Sequence, residues 1–460
     1  MSAPTYKVLN PATGEVVEEF ATATDAQIEE ALAGAQSSFE AWREVDINER
    51  AKIVNRVAEL FAERAQELGE IMTIEMGKPL SEAIGEAEYC KDIFAYFATE
   101  GPELAADREI KSFSGGKAFV QHLPVGPLLG IMPWNFPLYQ VARFAAPNLM
   151  LGNTIVLKHA ESCPRSALAI QSIMDEAGVP AGVYNNVFAT HDQISTIIAD
   201  PRIQGVSLTG SERAGAIIGE QAGRNLKKAV LELGGSDPFV VLDSDNVAEI
   251  AQTAWGFRID NTGQACNSNK RMIVMDNIFD EFVAELTKKA EGLVPGNPLE
   301  EQEGTFAPMS SRRAAEDLHA QVQDAVSKGA TLHAGGVLHD GPSAYYAPAV
   351  LSGVTKEMRA YYEELFGPVA VVYKVSSDEE ALALANDTIY GLGGSVHSTD
   401  VDRAGKVAAG LNVGMANVNT VAAEGAEMPF GGVKRSGFGR ELGPLGMDEF
   451  VNKRLYYVAD

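Results

Sequence analysis

Cysteine is scarce in this chain. There are three among 460 residues, Cys90, Cys163 and Cys266, odd in number and far apart. That excludes a disulfide framework and any cysteine cluster of metal-ligand spacing, and it fits a reducing compartment. The 7 histidines are scattered, none in an H-E-x-x-H pair, so no metal centre is expected. Basic charge is short as well: 37 Lys and Arg stand against 63 Asp and Glu, a formal net charge of −26. A nucleic-acid partner needs a basic face for its phosphates, so that class is excluded, and a well-solvated acidic surface is the plain meaning of the charge. No run approaches about 18 consecutive apolar residues, and residues 1–20 lack a basic-then-apolar signal pattern. The expectation is a soluble, cytoplasmic protein with no membrane partner. Short-period repeats, low-complexity segments and a G-x-G-x-x-G fingerprint are also missing.

What is present is an ordinary globular composition, 46% hydrophobic and 22% charged, in a chain long enough for two or three domains. Thr24-Asp25-Ala26-Gln27 has the form of a capping box, with Ile28, Ala31, Leu32, Ala35, Phe39 and Trp42 at helical spacing behind it. A second helix is expected with Ile53, Val54, Val57, Leu60, Phe61 and Leu68 inward, and a third over 81–98 after the break at Gly77-Lys78-Pro79. Glycine and proline punctuation near 115–127 suggests a hairpin or arm. Beyond it, short apolar strands near 154–157, 183–188 and 205–208 alternate with helices near 164–177, 191–199 and 212–223. A second alternating block starts near 236, with strands at 238–242, 271–275, 345–353 and 367–375. This is the pattern of βαβ units, an α/β fold whose parallel sheets bind ligands beyond the carboxyl ends of their strands.

Cys266 lies on the loop joining the run 250–259 to the strand 271–275, within Gly263-Gln264-Ala265-Cys266-Asn267-Ser268-Asn269-Lys270. Taken alone, a lone free cysteine reads as core packing. Gly210 and Ser211 close a strand and open a helix, where backbone can approach a ligand and a hydroxyl can meet a phosphate, or merely cap the helix. Lys158 and Glu161 stand just beyond another strand end, as ribose ligands or as a surface ion pair. Pro133 and Pro137 bracket Trp134-Asn135-Phe136 and fix the direction of Asn135.

Five separated motifs together resemble the aldehyde dehydrogenase superfamily across nearly the whole chain. They are Pro133-Trp134-Asn135-Phe136-Pro137, Leu231-Glu232-Leu233-Gly234-Gly235, Gly263-Gln264-Ala265-Cys266, Glu364-Leu365-Phe366-Gly367-Pro368 and Pro429-Phe430-Gly431-Gly432-Val433-Lys434-Arg435-Ser436-Gly437. The resemblance implies a Rossmann-type dinucleotide-binding domain (1–107 and 125–233), an α/β catalytic domain (234–420) and a small β oligomerisation arm (108–124 and 443–460). It implies Cys266 as nucleophile, Asn135 with the Cys266 backbone N–H as oxyanion hole, and Glu232 as general base. Trp134, Lys158, Glu161, Gly210, Ser211, Leu233, Glu364 and Phe366 would line the dinucleotide site. A thiol suits this chemistry because it adds to the carbonyl and later leaves from a thioester that water can cleave.

Glu161 near the adenosine 2′-hydroxyl would repel a 2′-phosphate, so NAD is expected to be preferred, with NADP possible. Lys158-His159-Ala160 and Leu233-Gly234-Gly235-Ser236-Asp237-Pro238 are similar to short bacterial succinate-semialdehyde dehydrogenases. Arg143, eight residues beyond Asn135, matches a position that binds the substrate carboxylate in such enzymes, or serves as a structural ion-pair partner. Two positions depart from that pattern: Asp260 stands where some members carry a second arginine, and Ala423-Glu424-Gly425 lacks a serine. Ser268 replaces a second cysteine, so a local disulfide to Cys266 is not available. The expected reaction is oxidation of succinate semialdehyde to succinate, the alternatives being another small aliphatic or aromatic aldehyde and a non-catalytic protein on the same fold. A CoA-acylating enzyme is a further rival, against which Glu232 argues for water as acyl acceptor. A homodimer or homotetramer is expected.

Overall fold

The computed structural model describes residues 6–113 and 115–460; residues 1–5, in the expected dinucleotide-binding part, and Ser114, in the expected arm, lie outside the described residues. Thr24 closes its capping box: Gln27 N donates to Thr24 Oγ1 at 3.3 Å and Thr24 N donates to Gln27 Oε1 at 2.8 Å. The helix Asp25–Trp42 that follows buries Ile28, Leu32, Ala35, Phe39 and Trp42, one stripe at helical period. The expected second helix is in fact two. It breaks at Arg64 into Ile47–Glu63 and Ala65–Met76, so Leu68 belongs to the next element. The third runs longer than its pattern suggests, over Leu80–Leu104.

The strand–helix alternation resolves into two separate sheets. The first has six strands in the order Gly437–Phe438, Lys228–Glu232, Gly205–Thr209, Pro127–Met132, Thr154–His159, Tyr184–Asn186. All pairs are parallel except Gly437–Phe438, which runs antiparallel to Lys228–Glu232. Pro127–Met132 is the first of the parallel strands in sequence and lies in the middle. The next two build outward on one side and the last two on the other. That reversal opens a crevice at the carboxyl ends of Pro127–Met132 and Gly205–Thr209. Alternate residues feed opposite faces: Leu128, Ile155, Leu157 and Val230 enter one core, Leu129, Val156, Val206 and Leu231 the other. Each such fully buried side chain contributes roughly 1.5–3 kcal/mol of apolar transfer.

The chain passes to the second sheet between Glu232 and Pro238. Its seven strands are ordered Thr331–Ala334, Ala349–Ser352, Val369–Val375, Arg271–Met275, Pro238–Val241, Gly393–His397, Met415–Val418, parallel but for the first pair. A third, three-stranded antiparallel sheet joins Val451–Val458, Lys117–Pro124 and Arg108–Ile110. Among the described residues no helix is long and apolar enough to cross a membrane.

Candidate active site

The loop that presents Cys266 is built from strained backbone held by buried hydrogen bonds. The helix Val247–Ile259 ends in a turn, Asp260–Gly263, where Asn261 (φ 50°) and Thr262 (φ 54°) are left-handed. Such residues cost about 1–3 kcal/mol each unless their surroundings impose the conformation. Here Asn261 N donates to Glu82 Oε2 (2.8 Å) and Asn261 Nδ2 to the Asn135 carbonyl (2.7 Å). Arg258, fully buried, donates to the Gly263 carbonyl (3.1 Å) and to Ser268 Oγ (3.0 Å). The chain then turns through Cys266 into the strand Arg271–Met275, leaving the thiol residue only partly covered.

Cys266 faces two cavities. One, of about 270 Å³, sits at the carboxyl edge of the first sheet and is lined by Trp134, Asn135, Thr209, Gly210, Ser211, Glu232, Leu233, Glu364 and Phe366 as well as Cys266. Nine of the residues nominated by sequence motif meet here. Trp134 and Phe366 pack edge to face, 5.8 Å between ring centres. The other cavity, of about 330 Å³, is lined by Lys78, Glu82, Glu86, Tyr89, Phe136, Tyr139, Phe257, Asp260, Asn267, Glu424 and Phe430, again with Cys266. A thiol shared by two chambers can react with a molecule in one while a second molecule waits in the other.

The polar groups around the thiol are placed for acyl chemistry. Asn135 is buried, and its Nδ2 donates to the Gln264 carbonyl at 3.0 Å, which fixes the amide and leaves its second N–H free to point elsewhere. Glu232 is buried, and neither carboxyl oxygen has a hydrogen-bond partner among the described residues. Burial, reinforced by the Glu441 charge, pushes its carboxyl well above the usual range. Burial likewise pushes the Cys266 thiol up to about 12, against the pull of the Arg143 and Lys270 cations. Glu232 lines the same cavity as that thiol.

Arg143 is placed otherwise than a free substrate anchor would be. It lies on the helix Tyr139–Leu151, fully buried, with Nε 2.8 Å from Glu441 Oε2 in an ion pair and Nη2 bonded to Gln140 Oε1. Its guanidinium packs over the Phe430 ring at 4.3 Å and the Tyr139 ring at 4.6 Å. Those two rings, and not Arg143, line the second cavity. That cavity instead carries carboxyls. Lys78 pairs with Glu86, which also accepts from Leu138 N (2.8 Å) and Tyr139 N (3.0 Å). Glu82, Asp260 and Glu424 remain, all with carboxyls raised by burial, Glu82 to about 8.

Lys158 and Glu161 sit together at the carboxyl end of Thr154–His159, Nζ 3.5 Å from Oε1, outside the two cavities but on the same sheet edge. His191 Nε2 approaches the same glutamate oxygen at 3.7 Å. The edge fits a nicotinamide dinucleotide. Thr209 Oγ1 is buried there without a partner among the described residues, and the helix Glu212–Arg224 opens at Ser211 with its positive end toward the crevice. Sequence reading passed over Lys78, Glu86, Glu441 and Lys270. Their only signal was charge, which in a sequence reads as solvated surface.

The family described as "Aldehyde dehydrogenase family" matches residues 1–455. A succinate-semialdehyde dehydrogenase [NADP(+)] of Deinococcus radiodurans is 51% identical over 450 residues, covering 98% of this chain and 94% of that protein. One of Mycobacterium avium is 39% identical over 454 residues, 98% of this chain and 96% of that protein. Among solved structures, Streptococcus pyogenes succinic semialdehyde dehydrogenase in complex with NADP+ superposes with a TM-score of 0.96 at 42% identity, covering 99% of this chain and 100% of that one. Gox0499, studied for cofactor and substrate selection, gives 0.96 at 43% identity, with 99% of each chain covered. With likeness running the length of the chain and a cysteine set between two chambers, this protein belongs to the aldehyde dehydrogenase family, enzymes that oxidise aldehydes with NAD(P).

Proposed function

We propose that the chain oxidises succinate semialdehyde to succinate. Cys266, its proton released to solvent and its thiolate favoured by the Arg143 and Lys270 charges, adds through Sγ to the aldehyde carbon in the second cavity, and the carbonyl becomes an alkoxide. The free N–H of Asn135 and the Cys266 backbone N–H stabilise that oxygen. When bound, the nicotinamide supplies the acceptor for the hydride that leaves the carbon. The product on the enzyme is a thioester, and Glu232 takes a proton from the water that cleaves it. The observation that carries this reading is the position of Cys266 between a chamber lined by Glu232, Asn135 and Glu364 and a separate chamber able to hold a small aldehyde. Support for the substrate comes from the three relatives named for it. Arg143 as carboxylate anchor then requires the guanidinium to share itself between Glu441 and the substrate.

A second reading is favoured by Glu82, Asp260 and Glu424, which make the same chamber poor in positive charge and suit a neutral or ammonium-bearing aldehyde. Comparing kcat/KM for succinate semialdehyde, butanal and 4-aminobutanal, in wild type and Arg143→Ala, decides between them. A loss in Arg143→Ala confined to the anionic substrate supports the first reading. A wild-type preference for either other aldehyde sinks it.

Cofactor choice turns on Glu161. The expected NAD preference finds no support in the relatives, which are named for NADP. Lys158 and His191 flank the Glu161 carboxylate and offer a 2′-phosphate two positive partners when His191 is protonated. We read the site as taking both dinucleotides, with Glu161 setting the ratio. Glu161→Ser should raise kcat/KM for NADP over NAD by about tenfold, the effect of about 1.4 kcal/mol. An unchanged ratio removes Glu161 from the discrimination.

The three-stranded sheet, with Leu455, Tyr456, Tyr457 and Val458 exposed on Val451–Val458, is the surface on which we propose an even-numbered homo-oligomer. The division into dinucleotide-binding, catalytic and arm parts is retained as part of the same proposal. Light scattering of wild type and Leu455→Glu tests the assembly: a monomer in both leaves the arm without that role.

A further inference from the structure

One buried ammonium holds the nucleophile's peptide from behind. Lys270 is 2% exposed. Its Nζ donates to the Ala265 carbonyl at 2.6 Å and to the Cys266 carbonyl at 2.8 Å, and it lies 3.1 Å from Glu364 Oε1. Two of the three ammonium protons go to those carbonyls, and Glu364 stands beside the ammonium as its ion-pair partner. The same Glu364 oxygen accepts from Gly235 N at 3.1 Å, and the ammonium stands 5.8 Å from the centre of the Phe366 ring. Glu364 and Phe366 line the chamber next to the first sheet. Lys270 therefore hydrogen-bonds the peptide that carries the thiol and pairs with the carboxylate across from it, while almost wholly buried. A cation at this depth is costly to bury unless it is paired and hydrogen-bonded, and it makes its partners hard to move independently.

We propose that Lys270 is a positioning residue that couples the two halves of the site: it ties the Cys266 peptide, and with it the thiol and the backbone N–H, to Glu364. A dinucleotide that engages Glu364 then pulls on the nucleophile loop through this ammonium. The proposal rests on the reading of Glu364 as a cofactor ligand. Lys270 also lies among the charges that favour the Cys266 thiolate, second to Arg143.

The test uses the full-length chain as wild type, Lys270→Met, Lys270→Arg and Glu364→Gln. The rate of Cys266 alkylation by iodoacetamide is followed from pH 6 to pH 10, with and without NADP, and cofactor affinity is read from quenching of the tryptophan fluorescence. In wild type, NADP should change the alkylation rate. In Lys270→Met alkylation should slow by about tenfold across this pH range, because only the thiolate reacts and a charge that favours it is gone. The response to NADP should vanish, and Lys270→Arg should restore part of both. Glu364→Gln should lose the NADP response without slowing alkylation, since the Glu364 charge opposes the thiolate, and it carries the test if Lys270→Met does not fold. A wild-type rate indifferent to NADP, or a Met variant that loses only thermal stability, overturns the coupling. Because alkylation and binding need no aldehyde, a failure of the substrate reading would leave these measurements intact and be seen separately in turnover.

Discussion

Both carboxyl oxygens of Glu232 are buried without a partner among the described residues, a situation that costs about 1–3 kcal/mol for an ordinary polar group. Gly431 makes room for it: a Cβ there would meet Glu232 Oε1 at 2.6 Å, so any larger residue would displace that carboxyl. The raised carboxyl keeps its proton to higher pH than a free glutamate, so turnover should climb with pH as Glu232 ionises. Glu232→Gln should abolish that limb, keep a first burst of NADPH and slow steady turnover by about 100- to 10,000-fold. Burst and turnover falling together would place Glu232 before the thioester and not after it. Asn135→Ala should cut kcat by about 100- to 1,000-fold, the worth of one oxyanion donor, without changing Cys266 alkylation. Asp260→Ser and Glu424→Ser each take a negative charge from the aldehyde chamber. Each should raise kcat/KM for succinate semialdehyde by about three- to tenfold, or about 1 kcal/mol, while leaving butanal unaffected. A drop for the anionic substrate would show instead that these acids act as protonated donors to its carboxylate.

At the scale of elements, the chamber is held by a contact between two helices that sequence does not reveal. Glu86, on Leu80–Leu104, accepts the Leu138 and Tyr139 N–H groups, and so caps the start of Tyr139–Leu151 while neutralising buried Lys78. Glu86→Ala should cost about 3–5 kcal/mol, because it strands the Lys78 charge and two backbone donors. Paired with Lys78→Met, which removes the stranded charge, part of that loss should return; urea unfolding of the single and double variants measures it. The helix Tyr139–Leu151 itself was illegible because every residue from Gln140 to Leu151 is buried, so there is no polar face to set a period. The strand Gly393–His397 was missed for a different reason: it opens on two glycines, poor strand formers that allow close packing against Pro238. Asp25–Trp42, His191–Ala199 and Arg271–Met275 were legible because a cap or an apolar run states their limits locally. That Cys266, Asn135, Glu232 and Glu364 meet in one cavity was legible for another reason, since each sits in a motif that resembles the family's. Lys270, Glu86 and Glu441 were not, because burial of a charge depends on partners far away in sequence.

At the scale of the whole molecule, the excess of acid is not confined to the surface, and the buried part of it sets how stability responds to pH. Burial pushes Glu75 up to about 7 and Asp237 to about 7, and burial with the Asp260 charge pushes Glu82 to about 8. Unfolded, these groups would titrate near 4.5 for the glutamates and 3.8 for the aspartate. Between the two values the folded chain holds the extra proton, so stability is greatest on the acid side and is lost as pH rises through the folded value. His159 and His397 act in the opposite sense, since burial lowers both to about 4, but they are silent above their unfolded value of 6.5. The carboxyl effect is therefore unopposed by histidine from pH 6.5 to about 8. Urea midpoints should fall across this interval in wild type. They should fall less in Glu82→Gln, which keeps an acceptor for Asn261 N but has no proton to lose. Other titrating groups are common to the two proteins and cancel, leaving a difference of about 1–2 kcal/mol that widens with pH. Parallel curves would mean that Glu82 is already ionised in the folded chain, and the aldehyde chamber would then be more strongly negative than its geometry alone suggests.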